Sequence, residues 1–244
     1  MNRFLLVLLP SLFLAGHSFA GEQEELFATG TRLCRAGDFS QAASILRQAA
    51  QTHPASGTLQ NLGLAEWHGG QVGPAVLAWE QAAWVDPFNK AVRSNLTFAR
   101  KISQLDGPNL AWQEVVSSWL PANWWAYITS LGIWMALGAL GIPAVLGRRK
   151  TVWQQLVAGI GLMMIVLGIP ALAGIHTRAQ IGIVLKKDAE LKLTPTSEGQ
   201  VMSRLAPGEP ARLVRRKGRF LLVLTSRGKG WLDNNEFRLI SGQI

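Results

Sequence analysis

Apolar and polar residues follow four different spacings along this chain, and each predicts a different kind of element. Asn2-Arg3 is followed by an apolar run from Phe4 to Gly16. From about residue 24 to 104, small and apolar residues recur every three or four positions, the spacing of amphipathic helices. Trp124 to Leu146 and Thr151 to Ile175 are two long runs without a charged residue. Beyond Gln180 the pattern becomes short β-rich runs at Ile181–Leu185, Ala189–Leu193, Ala211–Val214, Phe220–Leu224 and Gly230–Leu232. Turn signals at Thr194-Pro195, Pro207-Gly208, Lys217-Gly218 and Arg227-Gly228 separate them.

The first run reads as an export signal. A basic start, a short apolar stretch and the small residues Ser18 and Ala20 before Gly21-Glu22 predict cleavage after Ala20, giving a signal over 1–20. An uncleaved anchor is the other reading. His17 stands where a lipidated Cys would be needed, so no lipoprotein anchor is expected. Cys34, the only cysteine, then lies in an oxidising compartment without an intramolecular partner and reads as a small buried apolar residue.

The helical stretch, 21–106, repeats on itself. Gly30, Gly37, Ala42, Leu46, Ala49 and Pro54 recur 33 residues later as Gly63, Gly70, Ala75, Trp79, Ala82 and Pro87. Gly30 and Gly63 permit close helix approach, Gly37 and Gly70 fall in turns, and the two prolines end each unit. This pattern resembles the tetratricopeptide repeat. Asn61-Leu62-Gly63-Leu64-Ala65 echoes as Asn95-Leu96-Thr97-Phe98-Ala99, which predicts a third first-helix over 89–104 capping the stack. Stacks of this kind expose a concave face built by their first helices. Its candidate partner-binding residues are Gln60, Leu64, Trp67 and His68, with Asn95, Phe98 and Lys101 from the capping helix. Trp67 and Phe98 read equally well as inter-repeat core.

The two uncharged runs predict a membrane hairpin with spans at 124–146 and 151–176. The first, at about 1.5 Å per residue, reaches roughly 34 Å. The loop between them, 147–150, carries Arg148, Arg149 and Lys150 and is expected on the cytoplasmic side. Two spans return the chain to the side the export signal sends it, so both flanking domains are expected in the periplasm of a bacterial inner-membrane protein. Trp119, Trp124, Trp125 and Tyr127 crowd the entry to the first span as an interfacial belt, where a Trp-rich linker at 107–123 meets the span. Apart from His176 at the last position of the second, no acid, base or histidine lies inside either span, which argues against a transport pathway.

The final segment, 178–241, predicts a small all-β barrel. Its order, with Leu191-Lys192-Leu193 early and Gly230-Trp231-Leu232 near the end, resembles a bacterial SH3-type domain. Thr194 and Phe220 replace that family's usual Arg and Trp, which weakens the inference that the domain keeps the family's cell-wall ligand site. The fold class expected is therefore multidomain: all-α tetratricopeptide hairpins, a two-helix transmembrane hairpin and an all-β SH3-type barrel.

Charge sharpens this division. The chain carries 24 Lys and Arg against 15 Asp and Glu, and most of the excess lies in residues 178–244, with 13 Lys and Arg against 6 Asp and Glu. A nucleic-acid partner is accordingly not expected. Arg212, Arg215, Arg216, Lys217, Arg219, Arg227 and Lys229 form a candidate basic barrel edge for anionic headgroups or an acidic partner, or a solvated loop face. The four histidines are scattered, and no metal-ligand spacing, phosphate-binding glycine loop or nucleophile elbow is present. No catalytic residue, metal or cofactor is therefore expected, and the chain is not read as an enzyme.

The order of export signal, repeats, Trp-rich stretch, two spans and barrel is similar to the BatE-like members of the Bat (aerotolerance) group. Trp119-Leu120-Pro121-Ala122-Asn123-Trp124-Trp125-Ala126 looks like that family's entry into its first span. The resemblance implies a protein-binding scaffold for stress tolerance, beside von Willebrand-type membrane proteins and a MoxR-type AAA ATPase. A tethered peptidoglycan-binding adaptor, acting through the SH3-type domain, is the alternative.

Overall fold

The structure is a computed structural model that describes residues 5–145, 147 and 151–242. Arg148, Arg149 and Lys150 of the expected basic loop lie outside the described residues, as do the first four residues of the expected export signal. Among the described residues there are eight α-helices and a seven-stranded antiparallel sheet.

Helices α1 (Leu5–Ala36), α2 (Phe39–Thr52), α3 (Ser56–His68), α4 (Val72–Val85) and α5 (Lys90–Ile102) pack in sequence order as antiparallel neighbours. Their ends follow from local chemistry. Asp38 caps α2 by accepting the amide of Gln41 at 3.2 Å, and Asn89 caps α5 through Val92 at 3.2 Å. Gly37 and Gly70 turn the chain with φ of +84° and +76°, a conformation that favours glycine. The repeated small residues lie in the helix seams. A methyl group on Gly30 would strike Leu46, and one on Gly63 would strike the Trp79 ring. Ala42, Leu46, Ala49, Ala75, Trp79 and Ala82 are all buried.

The segment expected to be a plain linker contains one further helix, α6 (Trp112–Ser117). It precedes α7 (Ala122–Val145) and α8 (Val152–Arg178), two helices long and apolar enough to cross a membrane, with mean hydropathies of 1.7 and 2.4. They form an antiparallel hairpin in which Gly132 meets Gly161 backbone to backbone and Thr129 fills the space beside Gly168. Trp125 turns inward and is buried, so it does not join Trp119, Trp124 and Tyr127 at the surface.

Seven strands follow where five were expected. They are β1 (Ile181–Val184), β2 (Ala189–Lys192), β3 (Val201–Leu205), β4 (Pro210–Lys217), β5 (Phe220–Thr225), β6 (Gly228–Asp233) and β7 (Phe237–Leu239). The order is β3-β2-β6-β5-β4-β1-β7. β1 is central to one half, pairing Ile181 with Arg212 on β4 and Gly182 with Leu239 on β7. The register of β4 shifts between Leu213 and Arg215, a bulge that frees its last residues to pair with β5 alone.

One core lies inside the sheet, built on Val184, Leu191, Leu205, Val223, Leu232 and Phe237. A second unites the sheet with the helices. Ile181, Ile183 and Ile240 pack into the same cluster as Val76, Trp79 and Leu96. Gly73 of α4 abuts the backbone of Leu185, where a Cβ would not fit. The sheet therefore docks on α4, the second helix of its hairpin.

Candidate functional site

Docking the sheet on α4 leaves the side formed by α3 and α5 uncovered among the described residues. On that side Trp67 is half-buried, tilted against Trp79 at 5.9 Å between ring centres and edge-on to Phe98 at 5.8 Å. Phe98 is 54% exposed, and Ile102 one turn further along α5 is 61% exposed. Lys101 beside them is exposed, and Asn95 is half-buried. The aromatic trio thus has a structural end, Trp79, and an open end, Phe98.

The other expected groove residues divide. Leu64 packs on the helical core. Gln60 is engaged internally: its carbonyl accepts from the Trp79 indole at 3.2 Å, and its side-chain oxygen accepts from Asn89 at 3.0 Å. His68 is exposed at the end of α3 and stacks on Phe39 at 4.7 Å. It stands away from the Trp67–Phe98 contact as a surface aromatic pair.

The seven cations expected on one barrel edge do not act together. Arg212 reaches out of the sheet to Glu114 on α6, with bonds of 2.6 and 2.8 Å to the two carboxylate oxygens. It also donates to the carbonyl of Thr177 at 3.1 Å. Arg227 pairs with buried Glu209 at 3.4 Å, and Arg219 with Asp233 at 3.3 Å. Arg215, Arg216, Lys217 and Lys229 are exposed and make no ion pair among the described residues. The tip of the β4–β5 hairpin shares a groove of about 360 Å³ with Lys186, Asp188, Glu190 and Lys192, beside the end of β1 that points away from α8. That arrangement separates Arg215, Arg216 and Lys217 from the helix end that would leave a membrane, whereas Lys229 lies level with Arg212 across β5.

The junction between helices, hairpin and sheet was not legible as a site. Glu114 is the only charged residue between Asp106 and Arg148, and it is buried. Burial alone would push its carboxyl up. The hydrogen bonds from Arg212, the Ala111 amide and Thr177, with the Arg212 charge, outweigh burial and hold it below the ordinary glutamate value. Arg178, at the end of α8, is buried with its guanidinium 4.4 Å from the centre of the Trp84 ring on α4. Beside this junction a cavity of about 370 Å³ lies between the chain joining α5 to α6 and the sheet, lined by Leu105, Asp106, Asn109, Glu209, Leu224 and Arg227.

No group of three or more His, Cys, Asp or Glu that could hold a metal occurs among the described residues. Burial raises the Cys34 thiol pKa, away from the reactive thiolate form. No family model, curated protein or solved structure matches the chain.

Proposed function

We propose that this chain is a membrane-anchored, non-catalytic scaffold. Its helical stack, read as tetratricopeptide repeats, presents the α3–α5 side to a segment of a partner protein, while α7 and α8 cross the inner membrane. The stack and the sheet, read as an SH3-type barrel, both stand in the periplasm. The observation that carries the proposal is the open end of the aromatic trio: Phe98 and Ile102 stay exposed on a side the sheet leaves free. Aromatic anchors backed by a packed residue are the usual hot spots of protein interfaces. The partners proposed, from the BatE-like resemblance, are von Willebrand-type membrane proteins and a MoxR-type ATPase.

A second reading has its own support. The groove holding Lys186, Asp188, Glu190, Lys192, Arg219 and Asp233 interleaves both signs of charge beside the Phe220 ring. Such a surface suits a zwitterionic peptide such as the stem of peptidoglycan.

Mild cross-linking in native membranes, affinity purification of the full chain and mass spectrometry separate the two. The scaffold reading expects membrane proteins or an ATPase that are lost when Phe98→Ala and Lys101→Glu are combined, with insertion intact. An unchanged partner list in that variant overturns it, and recovery of muropeptides instead supports the wall-binding reading. Trp67 is a poor first target because its ring also packs on Trp79, so its removal loosens the stack itself.

A further inference from the structure

We propose that α6 is a third membrane element, an interfacial helix that lies along the bilayer surface and seats the sheet upon it; the proposal rests on the reading of α7 and α8 as spans. Its basis is an inversion of polarity. A helix facing water turns its apolar side inward and its polar side out. In α6 the polar residues Glu114 and Ser117 are buried, Glu114 under Arg212 and Ser117 with its hydroxyl donating to the Glu114 carbonyl at 2.7 Å. The residues turned outward are Trp112 and Val115, followed by Trp119. Positions 112, 115 and 119 fall on one side of the helical path. One exposed tryptophan needs no explanation. An apolar side opposite a buried, ion-paired carboxylate does.

The position of α6 identifies the occupant. It packs on the last turns of α8, so tightly that the Gln113 backbone leaves no room for a Cβ on Gly174. Four residues separate its end at Ser117 from the start of α7 at Ala122. It therefore sits at the level where one span ends and the other begins. Trp124 and Tyr127 of α7 are exposed at that level too. Trp and Tyr favour this depth, where the ring is apolar and the N–H or O–H meets headgroups and water. An interfacial helix enters about 5–10 Å into the boundary between headgroups and acyl chains. The lipid surface satisfies Trp112, Val115, Trp119, Trp124 and Tyr127 together. Because Arg212 of β4 grips both Glu114 and the Thr177 carbonyl, the sheet takes its height above the bilayer from α6.

The test places a nitroxide at single cysteines in the full chain, on a Cys34→Ala background, reconstituted in vesicles of phosphatidylethanolamine and phosphatidylglycerol. Trp112→Cys and Val115→Cys are labelled separately; both sites are exposed, so neither depends on the other for a folded protein. Leu137→Cys in α7 and Thr97→Cys on α5 are the references. Power saturation measures accessibility to oxygen, which concentrates in lipid, against a water-soluble nickel chelate. The ratio at 112 and 115 is expected to lie between the references and several-fold above that at 97. A water-like ratio at 112 and 115 with a lipid-like one at 137 overturns the interfacial helix and leaves the spans standing. A water-like ratio at 137 as well overturns both readings. Loss of access to both reagents at 112 and 115 means that protein covers this side, and that also overturns the proposal.

Discussion

Glu114 and Glu80 are both shielded carboxylates facing an arginine, yet their surroundings push them in opposite directions. Glu114 is held below the ordinary glutamate value because Arg212, Ala111 and Thr177 outweigh its burial. Glu80 is pushed above it because burial outweighs Arg100 and Arg178. A carboxyl with a lowered folded pKa adds stability at pH above its unfolded value near 4.5, and that stability is lost as pH falls through the lower folded value. Glu80 has the reverse sign: its contribution is present below the unfolded value and is lost as pH rises through the raised one. Two consequences follow at neutral pH. Glu114→Ala is expected to cost about 3 kcal/mol, since it leaves Arg212 facing an empty partner in a buried junction. Glu80→Gln keeps an acceptor for Arg100, removes a desolvated charge and is expected to change stability little. Thermal unfolding of both variants in detergent, at neutral and acid pH, checks this. The gap between wild type and Glu114→Ala must shrink on acidification, and a gap that stays constant rejects the assignment.

At the scale of elements, the repeat carries a reversal that its 33-residue spacing conceals. Arg47 on α2 pairs with Glu66 on α3, and one unit later Glu80 on α4 pairs with Arg100 on α5. Residues 47 and 80 are equivalent in the repeat, so the same contact recurs with its charges exchanged. The exchange favours each helix against its own neighbour, because α2 set against α5 would bring Arg47 to Arg100. Arg47→Glu is expected to lower the melting temperature, and adding Glu66→Arg to restore most of it. The pair is half exposed at Arg47, so the coupling should be about 1 kcal/mol, near the upper end for surface pairs. A double variant no more stable than Arg47→Glu alone rejects the pairing. The repeat itself was legible because glycine and alanine at fixed intervals carry their packing role in their size. Strand β3 was not: its residues Val201 to Arg204 are not buried, and only Leu205 is, so no alternation marks it. Strand β7 is three residues long. Helix α6 escaped for a related reason, since its buried side is the polar one. Arg212 was grouped with its basic neighbours in sequence because its partner lies 98 residues away.

On the scale of the whole molecule, the shared core changes what the parts can do alone. Ile181 and Ile183 lie on β1 and Ile240 just past the end of β7, yet all three belong to the helical cluster by packing. A core of this kind cannot be divided by a bilayer, so the proposed spanning of a membrane by α7 and α8 requires the stack and the sheet to stand on one side of it. The same contact makes the sheet a dependent unit. Freed of the stack, three isoleucines would face water, each at a cost of about 1.5–3 kcal/mol. The total is comparable with the whole stability of a domain of roughly 60 residues. A segment covering residues 179–244 is therefore expected to be unfolded or aggregated on its own, with a collapsed range of amide proton shifts in a nitrogen–proton correlation spectrum. A well-dispersed spectrum, with a melting temperature matching the sheet signals of the full chain, would show that the docking on α4 adds nothing to the sheet. The distinction governs how the charged groove beside Phe220 is assayed. Its walls come from the β1–β2 connection, β2, β5 and β6, and that connection leaves β1 at Leu185, where the backbone is seated against Gly73 of α4. Binding to that groove is thus expected in the full chain and lost in the isolated segment.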